Sequence, residues 1–79
     1  MNRITVRHAL DGRVRLRVPA ARDARTALRI GQRLKAVEGV RWVRCNTRCA
    51  GVVVRYDRAV LSADDIVALM AGLAGGGAA

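Results

Sequence analysis

Over residues 3 to 18, apart from a short interruption at the centre, apolar and polar side chains alternate. Ile4, Val6, Val14, Leu16 and Val18 fall on one face, and Thr5, Arg7, Arg13, Arg15 and Arg17 on the other. Alternation with a period of two sends successive side chains to opposite sides of an extended chain, so the segment is expected to form a half-buried hairpin. Asp11-Gly12 supplies the turn, because glycine tolerates the positive φ of a tight hairpin. Pro19 has no N–H to give to a ladder and ends the second strand. If Val14, Leu16 and Val18 meet a core, then Arg13, Arg15 and Arg17 stand in a row on the opposite, open face.

The pattern then changes period. From residue 20 to residue 37, Ala24, Ala27, Leu28, Gly31 and Leu34 recur at three- and four-residue spacing, with Arg22, Arg25, Arg29 and Arg33 between them. That spacing predicts an amphipathic helix closed by Gly39. Residues 40 to 45 and 50 to 56 read as two more strands joined by a turn at Asn46, Thr47 and Arg48. Ser62 is expected to cap a second helix with Asp64 and Asp65 in its first turn and Ile66, Leu69, Met70 and Leu73 on its buried stripe. The order β-β-α-β-β-α, with both helices on one face of one four-stranded sheet, predicts an α+β ferredoxin-like sandwich. Residues 50 to 56 return antiparallel between residues 13 to 18 and 40 to 45. The N-terminal strand takes the edge that a last strand would otherwise fill.

Only 79 residues are available, so one modest core is expected, in a single domain over residues 1 to 74 with a disordered Gly/Ala tail at 75 to 79. Aromatic residues are 3% and phenylalanine is absent, leaving Val, Leu, Ile and Ala to build that core. The net charge is +9, which favours an anionic partner. The competing explanation is base composition. All the cations but Lys35 are arginine, and the chain is rich in Ala, Gly and Val, the usage of a GC-rich genome.

No apolar run approaches the ~20 residues that span a bilayer, and the N-terminus lacks the apolar block of a secretory leader. A cytoplasmic location is expected. No catalytic constellation is legible. Ser62 reads as a cap, Asp64 and Asp65 belong to a helix start, and no Ser/His/Asp or Cys/His pairing or phosphate-cradling loop is present. The chain is expected not to be an enzyme.

Three stretches, HALDGRVRLRVP, VEGVRWVRCNTRCAGVVVRYD and LSADDIVALM, together resemble the heavy-metal-associated domain. More narrowly, they are similar to its variant at the N-termini of some bacterial metal-transporting P-type ATPases and in small stand-alone proteins. The resemblance implies binding of a soft metal, copper or zinc, and delivery to or regulation of a transporter. The usual ligands of that family are a Cys-x-x-Cys pair between the first core strand and the first helix. Here that loop is Pro19-Ala20-Ala21-Arg22-Asp23, without cysteine.

The cysteines that are present, Cys45 and Cys49, bracket the second hairpin's turn. Facing positions on antiparallel strands bring Cβ atoms within ~4.5–5.5 Å, which is expected to let both thiolates reach one soft ion or each other. Two thiolates suit Cu(I), or half of a tetrahedral zinc site that a second protomer completes. Arg44 and Arg48 would favour the thiolate. The alternative is an inward Cys45 that packs as a small core residue. His8 lies beside the Asp11-Gly12 turn, at the far end of the expected sheet, and reads as a local packing or capping residue. Arg17 and Arg22 are expected to flank the cysteine turn and to attract an acidic partner.

The open face is expected to carry Arg7, Arg13, Arg15, Arg17, Arg44 and Arg55 together with Trp42. Such a platform suits an acidic protein surface, a metal-transporting ATPase among the candidates. Single-stranded nucleic acid is a weaker candidate, since RNA-binding sheets stack bases on two or three aromatics. The strand at 40 to 45 is expected to have a free edge, which invites homodimerisation.

Overall fold

The computed structural model describes residues 4–75. Strand β1 (Thr5–Leu10) and strand β2 (Arg13–Arg17) form the first hairpin. A 3-10 turn over Pro19–Arg22 leads into helix α1 (Ala24–Lys35). Strands β3 (Val40–Asn46) and β4 (Gly51–Tyr56) form the second hairpin, and helix α2 spans Ala63–Gly75. All pairings are antiparallel, in the spatial order β1-β2-β4-β3. Four antiparallel strands with two helices make an α+β architecture compatible with a ferredoxin-like fold. The expected tail begins inside α2 at Gly75, and residues 76–79 lie outside the described residues.

Side chains of one strand parity build the core. Val14, Leu16, Val18, Val52 and Val54 are fully buried, and they meet Ile30 and Leu34 of α1 and Ile66 and Met70 of α2. Burying one such side chain is worth about 1.5–3 kcal/mol. The ion pairs among the described residues, Arg41–Asp57 at 3.4 Å and Arg58–Asp11 at 3.1 Å, are solvent-exposed, and such pairs contribute about 0–1 kcal/mol. Apolar burial therefore holds the fold, and the charges are free for other roles.

Both helix starts are capped. Asp23 accepts from the Thr26 N–H at 2.9 Å and from the Thr26 hydroxyl at 2.8 Å, and these bonds hold its carboxyl below the usual range. Ser62 accepts from the Asp65 N–H at 3.1 Å, while the Ser62 N–H donates to the Asp65 carboxylate at 2.9 Å. That reciprocal pair is a capping box.

The stripe of α1 is rotated from the expected one. Ala27, Ile30 and Leu34 are buried, whereas Leu28 is 63% exposed and Ala24 faces solvent. At about 100° per residue, Ile30 falls within roughly a sixth of a turn of Ala27 and Leu34, while Leu28 stands about a third of a turn off their centre. Residues 19 to 22 do not belong to the helix either. The prolyl ring starts a separate 3-10 turn, and Ala21 is the residue it buries.

β1 differs from the other strands. Every residue in it is exposed, including Val6 at 46% and Leu10 at 55%. Its register shifts between Val6 and His8, so Val6 opposes Leu16 while His8 opposes Arg15. This bulge at Arg7 breaks the simple alternation that residues 3 to 8 display.

Candidate functional site

The registers set out the open face row by row. Thr5, Arg17, Gly51 and Asn46 form one row, and His8, Arg15, Val53 and Arg44 the next. Leu10, Arg13, Arg55 and Trp42 form the third. The expected platform residues Arg13, Arg15, Arg17, Arg44, Arg55 and Trp42 therefore share one face. Arg7 joins them through the bulge, since it lines one concavity with Arg15 and Arg17. The guanidinium of Arg55 lies over the Trp42 ring, 5.4 Å from its centroid. None of these arginines takes part in the ion pairs found among the described residues.

Crowding is visible at Arg13. Its Nε is shut off from solvent and has no hydrogen-bond partner among the described residues. A buried donor left without an acceptor costs about 1–3 kcal/mol.

The two cysteines do not face each other. Cys45 opposes Val52, a fully buried core residue, and it packs against the core from the inner side of the sheet. Its thiol points to the Ala27 carbonyl of α1 at 3.6 Å and opens on a groove between α1 and β3 that Leu28, Lys35 and Val43 also line. Cys49 sits in the turn after Asn46. Its sulfur lies on the outer side of the sheet, over Gly51, where an added Cβ would stand 3.1 Å from Sγ. The expectation that the hairpin brings the pair together is thus corrected. The turn runs over four residues, 47 to 50, which advances Cys49 past the ladder and onto the opposite face from Cys45.

Electrostatics separates them further. Burial pushes the Cys45 thiol above its ordinary value, and the opposing effect of Lys35 is smaller. The expected thiolate-favouring influence of Arg44 and Arg48 does not reach it, because Arg44 projects from the other side of β3. Among the described residues no group of three or more His, Cys, Asp or Glu side chains converges in a way that would hold a metal ion. The residues present do not fit a two-thiolate centre within one chain. His8 stands on the outer face opposite Arg15, in the middle row of the sheet and not at the far end where the sequence reading puts it.

A concavity of about 460 Å³ opens at the tip of the open face, lined by Arg7, Arg15, Arg17 and Arg22 with Cys49 and Gly51. The backbone pins its walls. The Val18 N–H donates to the Ala50 carbonyl at 2.7 Å, tying the cysteine turn to the end of β2, and Ala50 adopts a positive φ of 57° to close that turn. Arg17 and Arg22 thus flank the cysteine turn as the strand directions require. Gly51 is the residue that sequence reasoning missed. Its signal was a glycine at the mouth of a strand, where a close approach is expected.

A family profile described as heavy metal associated domain 2 matches residues 1–75. No curated protein and no solved structure matches the chain. No helix among the described residues is long and apolar enough to cross a membrane.

Proposed function

Because the chain belongs to the heavy metal associated domain 2 family, we propose that it serves a metal-binding or metal-delivery system as a docking adaptor, holding an acidic surface of a protein partner against its open sheet face. One observation carries this reading. Arg13, Arg15, Arg17, Arg44 and Arg55 stand in adjacent cross-strand rows on the face away from the helices, outside the ion pairs of the described residues. Like charges so arranged repel one another, and an acidic partner relieves that repulsion while steering its own approach. Trp42, 42% exposed at the rim of the face, adds an amphipathic anchor of the kind enriched at interfaces. A metal-transporting ATPase, met on its cytoplasmic side, is the partner such a domain would serve. In this reading Cys45 and Cys49 do not hold copper or zinc together, since the sheet stands between them.

A labelled decaglutamate peptide tests the face. Binding to the native chain at low salt is expected to be lost in Arg13→Glu/Arg44→Glu/Arg55→Glu and retained in Arg25→Glu/Arg29→Glu/Arg33→Glu, which changes net charge equally on α1. Equal loss in both variants would reduce the interaction to net charge and sink the proposal.

A further inference from the structure

We propose that the concavity ringed by Arg7, Arg15, Arg17 and Arg22 is a binding site for a linear oligophosphate chain. It is distinct from the docking rows in the residues that test it. Four arginine side chains line this one depression, and they come from separate pieces of structure. Arg7 comes from the β1 bulge, Arg15 and Arg17 from β2, and Arg22 from the last turn of the 3-10 segment. Their convergence at the tip is therefore a product of the fold and not of a run in the sequence.

No acid among the described residues neutralises them. None of the four is in an ion pair among the described residues. Asp23, the acid beside Arg22 in sequence, is engaged by the Thr26 N–H and hydroxyl as the cap of α1. A single carboxylate would balance one of the four charges, whereas a chain of phosphoryl groups carries several at close spacing. Each guanidinium fork can donate to two phosphate oxygens side by side.

The lining also limits what else the ligand carries. It holds no aromatic side chain, and Leu16, its one large apolar member, is itself fully buried. A nucleobase would find nothing to stack on. At about 460 Å³ the space lies within the roughly 300–1,000 Å³ range of small-ligand pockets, which suits several phosphoryl groups better than one. Gly51 keeps the floor low, because a side chain there would meet the Cys49 sulfur.

Calorimetric titration of the full chain with tripolyphosphate, ATP and citrate at matched ionic strength tests the site. Tripolyphosphate is expected to bind saturably at one per chain. Arg17→Gln/Arg22→Gln should weaken it by about tenfold or more, as the loss of two charge-assisted contacts requires, while Arg29→Gln/Arg33→Gln on α1 leaves it unchanged. Citrate binding as tightly as tripolyphosphate, or equal weakening in the two variants, would overturn the proposal. ATP is expected to bind no more tightly than tripolyphosphate, as a site that reads an inorganic phosphate chain without a base requires; tighter binding of ATP would overturn that reading of the lining. Bound tripolyphosphate should also slow alkylation of Cys49. Binding without such protection would overturn its location.

Discussion

The Arg55 guanidinium stacks on Trp42 from the neighbouring strand, 5.4 Å from the ring centroid, and so closes the outermost row of the open face. The pair is cross-strand, Trp42 on β3 opposing Arg55 on β4. It couples the only tryptophan in the chain to the charge of the proposed docking surface.

Intrinsic fluorescence therefore reports on that surface. Arg55→Leu is expected to change Trp42 emission in the folded protein and to lower stability by about 0.5–1 kcal/mol, the value of an exposed cation–π pair. Emission spectra and urea denaturation check it. An unchanged spectrum would mean that the stacked arrangement is not populated.

The two cysteines are expected to behave as strangers. Substoichiometric iodoacetamide should label Cys49, which is exposed, well before Cys45, which is half-buried beneath α1, as peptide mass spectrometry would record. Anaerobic Cu(I) titration of the native chain and of Cys45→Ser should give the same uptake. A one-to-one site abolished by either single substitution would reveal that the hairpin rearranges to bring both sulfurs to one ion.

Cys45 also sets a pH dependence. Its folded thiol holds its proton more tightly than an ordinary one, first because of burial. The folded state then binds more protons than the unfolded state above the ordinary value of 9.0, so stability falls as pH rises from there toward the raised folded value. The contribution is fully present at neutral pH. Urea midpoints between pH 7 and the alkaline range should decline in the native chain and decline less in Cys45→Ala.

Two glycines should respond with opposite signs. Gly39 has φ +94°, and a Cβ there would lie 2.8 Å from Val60 Cγ1. Gly39→Ala is expected to cost about 2–4 kcal/mol from backbone strain and overpacking together. Gly31 lies inside α1 with nothing within 4 Å of an added Cβ, so Gly31→Ala should stabilise by about 0.5–1 kcal/mol. Thermal and urea unfolding distinguish the two.

Much of this is legible in the sequence. Residues 13 to 18 name their own inner and outer faces, because a strict period of two leaves no freedom once one parity is apolar. The open-face arginines follow from that, as does the capped start of α2 at Ser62. What escaped was geometry that depends on an extra residue. The bulge at Arg7 leaves no mark in composition, and neither does the length of the turn between Asn46 and Gly51, yet these decide where Arg7 and Cys49 point. The stripe of α1 is ambiguous in sequence for another reason. Ala24, Leu28 and Gly31 offer a helical spacing as regular as that of Ala27, Ile30 and Leu34, and only packing against the sheet selects between them. The bowl at the sheet tip needs β1, β2, the 3-10 turn and the cysteine turn to meet, which no local pattern encodes.

The bareness of β1 has a dynamic meaning. A strand with no buried residue is retained by a single ladder to β2, and that ladder is interrupted at its centre. Its amides are expected to exchange with deuterium earliest among the strands, through an opening that leaves the hydrophobic interior sealed by β2, β3 and β4. Arg7 travels with that strand. The molecule thus possesses a detachable hem, and an anion gripped by Arg7 and Arg17 together would stitch it down.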